Sequence, residues 1–246
     1  MEMNLKLSAS GLTDIGLHRS SNEDSYFIQK DTYCFLVADG MGGAAAGEIA
    51  SRIFADTAAQ LIPQSGNQSE SNTVALIKKI FLTANKEIRS HILSTPDHSG
   101  MGCTAELLLF HHNGFALGHI GDSRSYRLRN GKLTRLTKDH SLVQNQVDQG
   151  LISKEAARTH RLRNVISRAV GIEEKLEIDI IRGRYLTKDL FLLCSDGLTD
   201  MVTEEVITKI LLRRESLQQR TATLIERAKT NGGRDNITAV LVEVLP

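Results

Sequence analysis

Four aspartates in this chain stand where apolar runs begin or end. "FLVADGMGG" runs core residues straight into Asp39-Gly40, "ALGHIGDSR" into Asp122 and "LFLLCSDGL" into Asp196, while "GGRDNITAVLVEV" sets Asp235 just ahead of another run. An acidic pair, Glu23-Asp24, opens "DSYFIQ". A single aspartate at a strand end serves a turn, because its carboxylate bonds its own backbone. Several at the strand ends of one sheet system can converge, and converging carboxylates repel unless a cation lies among them. Oxygen donors without Cys or His at ligand spacing favour Mg²⁺ or Mn²⁺ over zinc. Gly40 leaves a carbonyl open beside Asp39 as a further oxygen donor. Two such ions activate water and clamp the oxygens of a phosphoryl group, so the chemistry implied is phosphate hydrolysis. A phosphate also calls for a cation that grips two oxygens at once, which arginine does better than lysine. Arg19, in "GLHRSSNEDS", is the candidate; the plainer alternative is a surface arginine.

The elements that must position these residues are legible in outline. Apolar runs at 33–38, 103–110, 115–120, 189–195 and 237–244 read as buried strands. "HHNG" at 111–114 and "RNGK" at 129–132 read as hairpin turns, because Asn-Gly accepts positive φ. Helical spacing marks 45–61, 73–93, 204–213 and 216–230, with Thr203 as an N-cap. The stretch 62–72, with Pro63 and Gly66, reads as a loop. Hairpins interrupted by helix pairs imply an α+β fold with helices covering antiparallel sheets. Residues 137–175 are polar and lack a strand pattern; they read as a surface insertion, with a short helix starting at Ser153.

Composition excludes several classes. The 246 residues carry 30 Lys and Arg against 29 Asp and Glu, a net charge of +1. That balance gives no electrostatic footprint for nucleic acid or an anionic membrane surface. No leader pattern or bilayer-length apolar stretch is present in the sequence. Cys34, Cys103 and Cys194 each sit inside an apolar run and read as buried thiols of a reducing compartment, which makes the cytoplasm the expected address.

Taken in order, "HRSSNEDS", "FLVADGMGG", "GCTAELLL", "GHIGDSRSYRLRNGKLTRLTKDHS", "NVISRAVG", "LLCSDGLTD" and "GGRDNITAVLV" span Asp14 to Val244. The set resembles the metal-dependent type-2C protein serine/threonine phosphatases, in their compact bacterial single-domain form. The resemblance implies a central sandwich of two antiparallel β-sheets flanked by helix pairs, one domain over 1–246, and a flap at about 137–175 tied to substrate choice. It implies two Mn²⁺ or Mg²⁺ ions and a possible third. Asp39 would bridge the first two, with the Gly40 carbonyl on the second. Asp196 and Asp235 would complete the first site, Glu23 or Asp24 the second, and Asp122 with Asp196 a third. Asn236 would support Asp235, and Arg19 would hold the substrate phosphate. A hydroxide bridging the metals would attack phosphorus in line, with no phosphoenzyme. The substrates implied are phosphoproteins of a bacterial Ser/Thr kinase, met by a monomer with no nucleic-acid or membrane partner.

One departure stands out. Many members carry a histidine just after the Asp-Gly; here Ala44 occupies that place, followed by Ala45 and Ala46. The leaving group's proton must then come from water or from a residue such as His160, although a solvated flap histidine is the simpler reading. His119 reads as core, His140 as a structural hydrogen-bonding residue, and His111 and His112 as turn residues. A metal-dependent phosphodiesterase or nuclease would also use an acidic cluster, but lacks its basic surface here. A non-catalytic phosphoprotein-binding relative would have lost carboxylates that this chain keeps.

Overall fold

Strands that read as unbroken apolar runs need cover on both faces, and the chain supplies it in four layers. The computed structural model describes residues 5–42, 46–63 and 68–246. In chain order the elements are β1 (Leu7–Asp14), β2 (Asp24–Gln29), β3 (Cys34–Met41), α1 (Ala46–Leu61), α2 (Glu70–Ser94), β4 (Gly102–Cys103), β5 (Ala105–His111), β6 (Gly114–Ile120), β7 (Arg124–Arg129) and β8 (Lys132–Arg135). There follow α3 (Leu142–Asp148), α4 (Lys154–Arg158), β9 (Asp179–Gly183), β10 (Leu190–Cys194), α5 (Asp196–Thr199), α6 (Glu204–Leu211), α7 (Leu217–Thr230) and β11 (Ile237–Val244).

Two antiparallel sheets form the middle layers. One runs β1-β11-β10-β7-β8; the other runs β2-β3-β5-β6-β9, with β4 joined to the end of β3. Alternation along β3 shows how one strand serves two interfaces. Phe35 and Val37, with Phe110 and Phe115 of the same sheet, face the opposite sheet, where Phe191 and Val240 meet them. Cys34, Leu36 and Ala38 face α1 and α2, packing on Phe54, Ile77 and Phe81. On the other outer face α6 and α7 bury Ile207, Leu224 and Ile225 against Leu192 and Leu241. Phe191 sits edge-on to Phe110 and Phe115, with ring centroids 5.3 and 4.9 Å away, contacts that contribute about 1 kcal/mol each beyond area burial.

The α+β sandwich is as the sequence implies, and the differences lie at its margins. Helix α2 starts at Glu70, inside the stretch read as loop, because Ser69 accepts the Asn72 N–H as its cap; residues 64–67 of that stretch lie outside those described. Strands β1 and β9 escape a reading based on apolar runs, since β1 is mostly half-buried and β9 is an edge. His111 is not a turn residue but the buried last residue of β5. Helix α4 is capped by Ser153 as read, but α3, capped by Ser141, was hidden in the polar stretch. The ends of 137–175 are built into the body: Asp139, His140, Ala169 and Val170 are buried, and Val170 bridges Cys103 of β4. All three cysteines are buried and free. Among the described residues, no helix is long and apolar enough to cross a membrane.

One ionisable pair spans the layers. Glu106 of β5 faces His119 of β6 across the ladder, and both are fully buried. Glu106 also accepts from the Ser125 hydroxyl of the other sheet. The far nitrogen of His119 meets the Lys138 carbonyl at 2.8 Å. Burial opposes a charged His119, but Glu106 and that carbonyl outweigh it and raise its pKa. Burial raises the Glu106 carboxyl as well, but with an oxygen facing each ring nitrogen the arrangement favours an imidazolium, which joins both sheets to the start of the 137–175 segment. Glu106→Gln leaves that charge unpaired and should cost about 3 kcal/mol in urea unfolding. A loss under about 1 kcal/mol would mean that the folded pair is neutral.

Candidate metal centre

The ends of β3, β6 and β10 and the starts of β2 and β11 bring the acidic residues to one end of the sandwich. Asp24 and Asp39 are cross-strand partners. Asp196 opens α5, one residue beyond the Ser195 that follows β10. Asp122 follows β6, and Asp235 precedes β11 by two residues. Asp24 is buried; Asp39, Asp122, Asp196, Asp235 and Glu23 each keep a partly accessible surface.

Each of these residues is held by its backbone and by neutral donors. Asp24 Oδ2 accepts from the Ser195 hydroxyl at 2.8 Å and the Thr238 hydroxyl at 2.6 Å, while Oδ1, although buried, has no partner. The Asp39 N–H donates to Thr104 Oγ1 at 3.2 Å, and the Asp39 carbonyl accepts the Thr104 N–H at 2.8 Å. His140 grips the turn before Asp122 from both sides: its N–H donates to the Gly121 carbonyl at 2.7 Å, and its Nδ1 accepts the Gly121 N–H at 3.1 Å. Asn236 is the hub on the other side. Its side-chain oxygen accepts the Glu23 N–H at 2.8 Å, and its amide donates to the Ile15 and Ser21 carbonyls at 3.0 and 2.9 Å. The loop carrying Arg19 and Glu23 is thereby tied to the residue after Asp235. Gly40 has to be glycine: a Cβ there would run into the Gly47 and Glu23 carbonyls. Gly47 in turn leaves room for the Glu23 carboxylate.

The electrostatics are those of charges lacking a counter-ion. Burial, then Asp24, Asp196, Asp122 and Asp235 in turn, holds the Asp39 carboxyl well above the usual range. Burial followed by Asp122, Asp200 and Asp235 does the same to Asp196. Burial takes Asp122 to about 7 and Asp24 to about 6. Burial also raises Glu23. Arg19 lies at the mouth, half exposed, with Nη2 2.7 Å from Asp235 Oδ2. Among the described residues, no three His, Cys, Asp or Glu side chains are already gathered closely enough to share an ion. The donor set nevertheless fits hard divalent cations: oxygen only, mutually repelling, with a buried Asp24 oxygen left unpartnered.

All the residues singled out from sequence lie at this end, with Asn236 behind them. Sequence reasoning missed Thr104, Ser195 and Thr238, the neutral donors, and also Asp200. Asp200 stands four residues after Asp196, the spacing that puts two side chains on one helical face. The histidines are committed elsewhere: His160 Nδ1 accepts the Leu162 N–H at 3.1 Å, and His119 and His140 hold the frame. Ala44 and Ala45 lie outside the described residues.

A sandwich of this topology with carboxylates at one end defines a phosphatase family, and comparison bears this out. The protein phosphatase 2C family profile matches residues 18–245. The chain belongs to that family. It is 38% identical over 239 residues to the serine/threonine phosphatase Stp of Listeria monocytogenes, covering 94% of this chain and 93% of that one. The crystal structure of the Mycobacterium tuberculosis serine/threonine phosphatase PstP/Ppp superposes with a TM-score of 0.91 at 37% identity, over 98% of this chain and 99% of that one. The catalytic domain of PstP in complex with two manganese ions gives 0.90 at 36% identity, over 99% of this chain and 100% of that one.

The raised carboxyls set a sign for stability. Between about pH 4 and pH 7 the ion-free folded state holds protons on Asp24 and Asp122 that the unfolded chain has released. Stability from these groups therefore falls as pH rises through that window. His140, held neutral by burial with a pKa of about 4, acts in the opposite sense up to its unfolded value. In EDTA, Asp39→Asn should flatten the fall between pH 5 and 7.5 relative to wild type in urea titrations. Parallel profiles would mean that the carboxylates do not act on one another.

Proposed function

We propose that the protein is a metal-dependent phosphatase that removes phosphate from phosphoserine and phosphothreonine in proteins. The observation that carries this is the set of uncompensated carboxylates at one end of the sandwich, with Arg19 beside them at the mouth. The manganese pair in the related PstP catalytic domain supports two Mn²⁺ or Mg²⁺ ions here. Asp39 would hold both of these ions, Asp196 and Asp235 one of them, and the Gly40 carbonyl with Glu23 or Asp24 the other; Asp122 and Asp196 would hold a third. When bound, the ions lower the pKa of a water and neutralise phosphoryl oxygens.

The chain's own residues do the rest. The Arg19 guanidinium presents two donors to the phosphate. Asp235, 2.7 Å from it, fixes where it starts. Asn236 sets the distance between that arginine and the carboxylates by holding both backbones. Burial of Asp24 strengthens the charge interactions it makes with its neighbours. The whole chain acts as one phosphatase domain and as a monomer in the cytoplasm. Segment 137–175 is its flap, and its substrates are products of a bacterial Ser/Thr kinase, a reading supported by the bacterial phosphatases it resembles.

Hydrolysis of a phosphothreonine peptide, with EDTA, Mg²⁺ or Mn²⁺, tests this. Turnover should require added metal and vanish in Asp39→Asn. Arg19→Ala should lower kcat/KM by about 10- to 100-fold, the worth of a charge-assisted hydrogen bond. Metal-independent turnover, or none on any phosphopeptide by folded protein, would contradict the assignment.

A further inference from the structure

Charge is even over the whole chain but not over the middle of the flap. Residues 150–170 hold five basic residues, Lys154, Arg158, Arg161, Arg163 and Arg168, against Glu155 alone. Two of the five are committed. Arg163 pairs with Asp200 at 3.3 Å, which pins this part of the flap to the helix that starts at Asp196. Arg168 lies 3.3 Å from Asp179 and 3.6 Å from Glu177. Nearby, Lys138 is spent on Asp148 at 2.6 Å. Lys154, Arg158 and Arg161 are exposed, and among the described residues no carboxylate comes within ion-pair distance of them. Glu155 shares α4 with two of these cations; its own backbone N–H, then Ser153, lower its pKa, and Lys154 and Arg158 act on it only at a distance.

We propose that this basic face, Arg158 and Arg161 above all, docks an acidic stretch of the phosphoprotein substrate, a second phosphate or an Asp/Glu cluster near the target residue. The proposal rests on the phosphatase reading and names its substrate class. Reach supports it. Two residues of chain span at most about 7 Å, so Arg161 stays close to the Arg163–Asp200 anchor at the site's rim. Arg158, five residues from Arg163, lies within about 18 Å of it along the chain. A bound peptide in extended form advances about 3.3 Å per residue. An acidic group a few positions from the phosphoresidue, on the Asp200 side of the site, would therefore lie nearest these arginines. The ion-binding end is itself lined with carboxylates and gives an acidic flank nothing to bind, so selection for one must come from the flap.

The test uses the full chain with Mn²⁺ and four substrates: an aryl phosphate, and one phosphothreonine peptide carrying neutral flanks, acidic flanks or a second phosphothreonine. Wild type should prefer the acidic and doubly phosphorylated peptides by about ten-fold in kcat/KM through KM, less so at high salt. R158A/R161A should erase the preference and R158E/R161E reverse it, both with unchanged turnover of the aryl phosphate. Because these side chains are exposed, unchanged melting curves are expected. Equal KM values for neutral and acidic peptides in wild type, or a preference surviving in R158E/R161E, would overturn the proposal. Sedimentation of wild type with phosphatidylserine vesicles without any peptide preference would also overturn it and assign the face to a membrane. Should no substrate turn over, the phosphatase reading fails. Fluorescence anisotropy with labelled acidic and neutral peptides on wild type and R158E/R161E then still decides the docking claim.

Discussion

Carboxylates forced together against their own repulsion are what the rest of this structure is arranged around. Asp39 faces Asp24 across a ladder, with Asp122, Asp196 and Asp235 close enough to raise its pKa well above the ordinary range. Left to themselves, such charges would separate or take up protons. They stay because none is free to leave. Each is fixed within a residue or two of a strand end, and those strands are anchored in cores buried on both faces. The folding free energy of the sandwich opposes the repulsion, and a cation relieves it.

The frame that does this is neutral. Thr104, Ser195, Thr238 and Asn236 supply hydroxyls and amides rather than charges. A lysine or arginine in their place would satisfy the carboxylates and remove the reason for a metal to bind. Arg19 is the exception, and it lies at the exposed rim, where Asp235 holds it without burying it. On the far side, the Glu106–His119 pair and His140 link both sheets to the start of segment 137–175 and to the turn before Asp122. Segment 137–175 is thus tied at its base and, through Arg163, at Asp200, with Arg158 and Arg161 left exposed.

Much of this was readable from residue order. Asp39, Asp122, Asp196 and Asp235 announced themselves because an apolar strand that ends in a carboxylate is conspicuous, and the Asn-Gly turns placed the hairpins. What stayed hidden has physical reasons. β1 and β9 bury only part of their side chains, so no apolar run marks them. α3 sits in a polar stretch because it buries little beyond Val143. Hydroxyl residues such as Ser195 and Thr238 look alike whether they bond a carboxylate or water, so only the fold reveals their role. Glu106 and His119 lie thirteen residues apart, and nothing local shows that a ladder makes them partners.

The central claim is that these carboxylates form a divalent-ion site from which Arg19 is set apart to take phosphate. A crystal structure of the Mn²⁺-loaded protein, with anomalous scattering recorded at the manganese edge, tests it most directly. The account predicts two strong peaks flanking Asp39, bounded by Asp196, Asp235 and the Gly40 carbonyl, with Arg19 turned away from Asp235. Manganese bound elsewhere, or absent while Arg19 still pairs with Asp235, would contradict it.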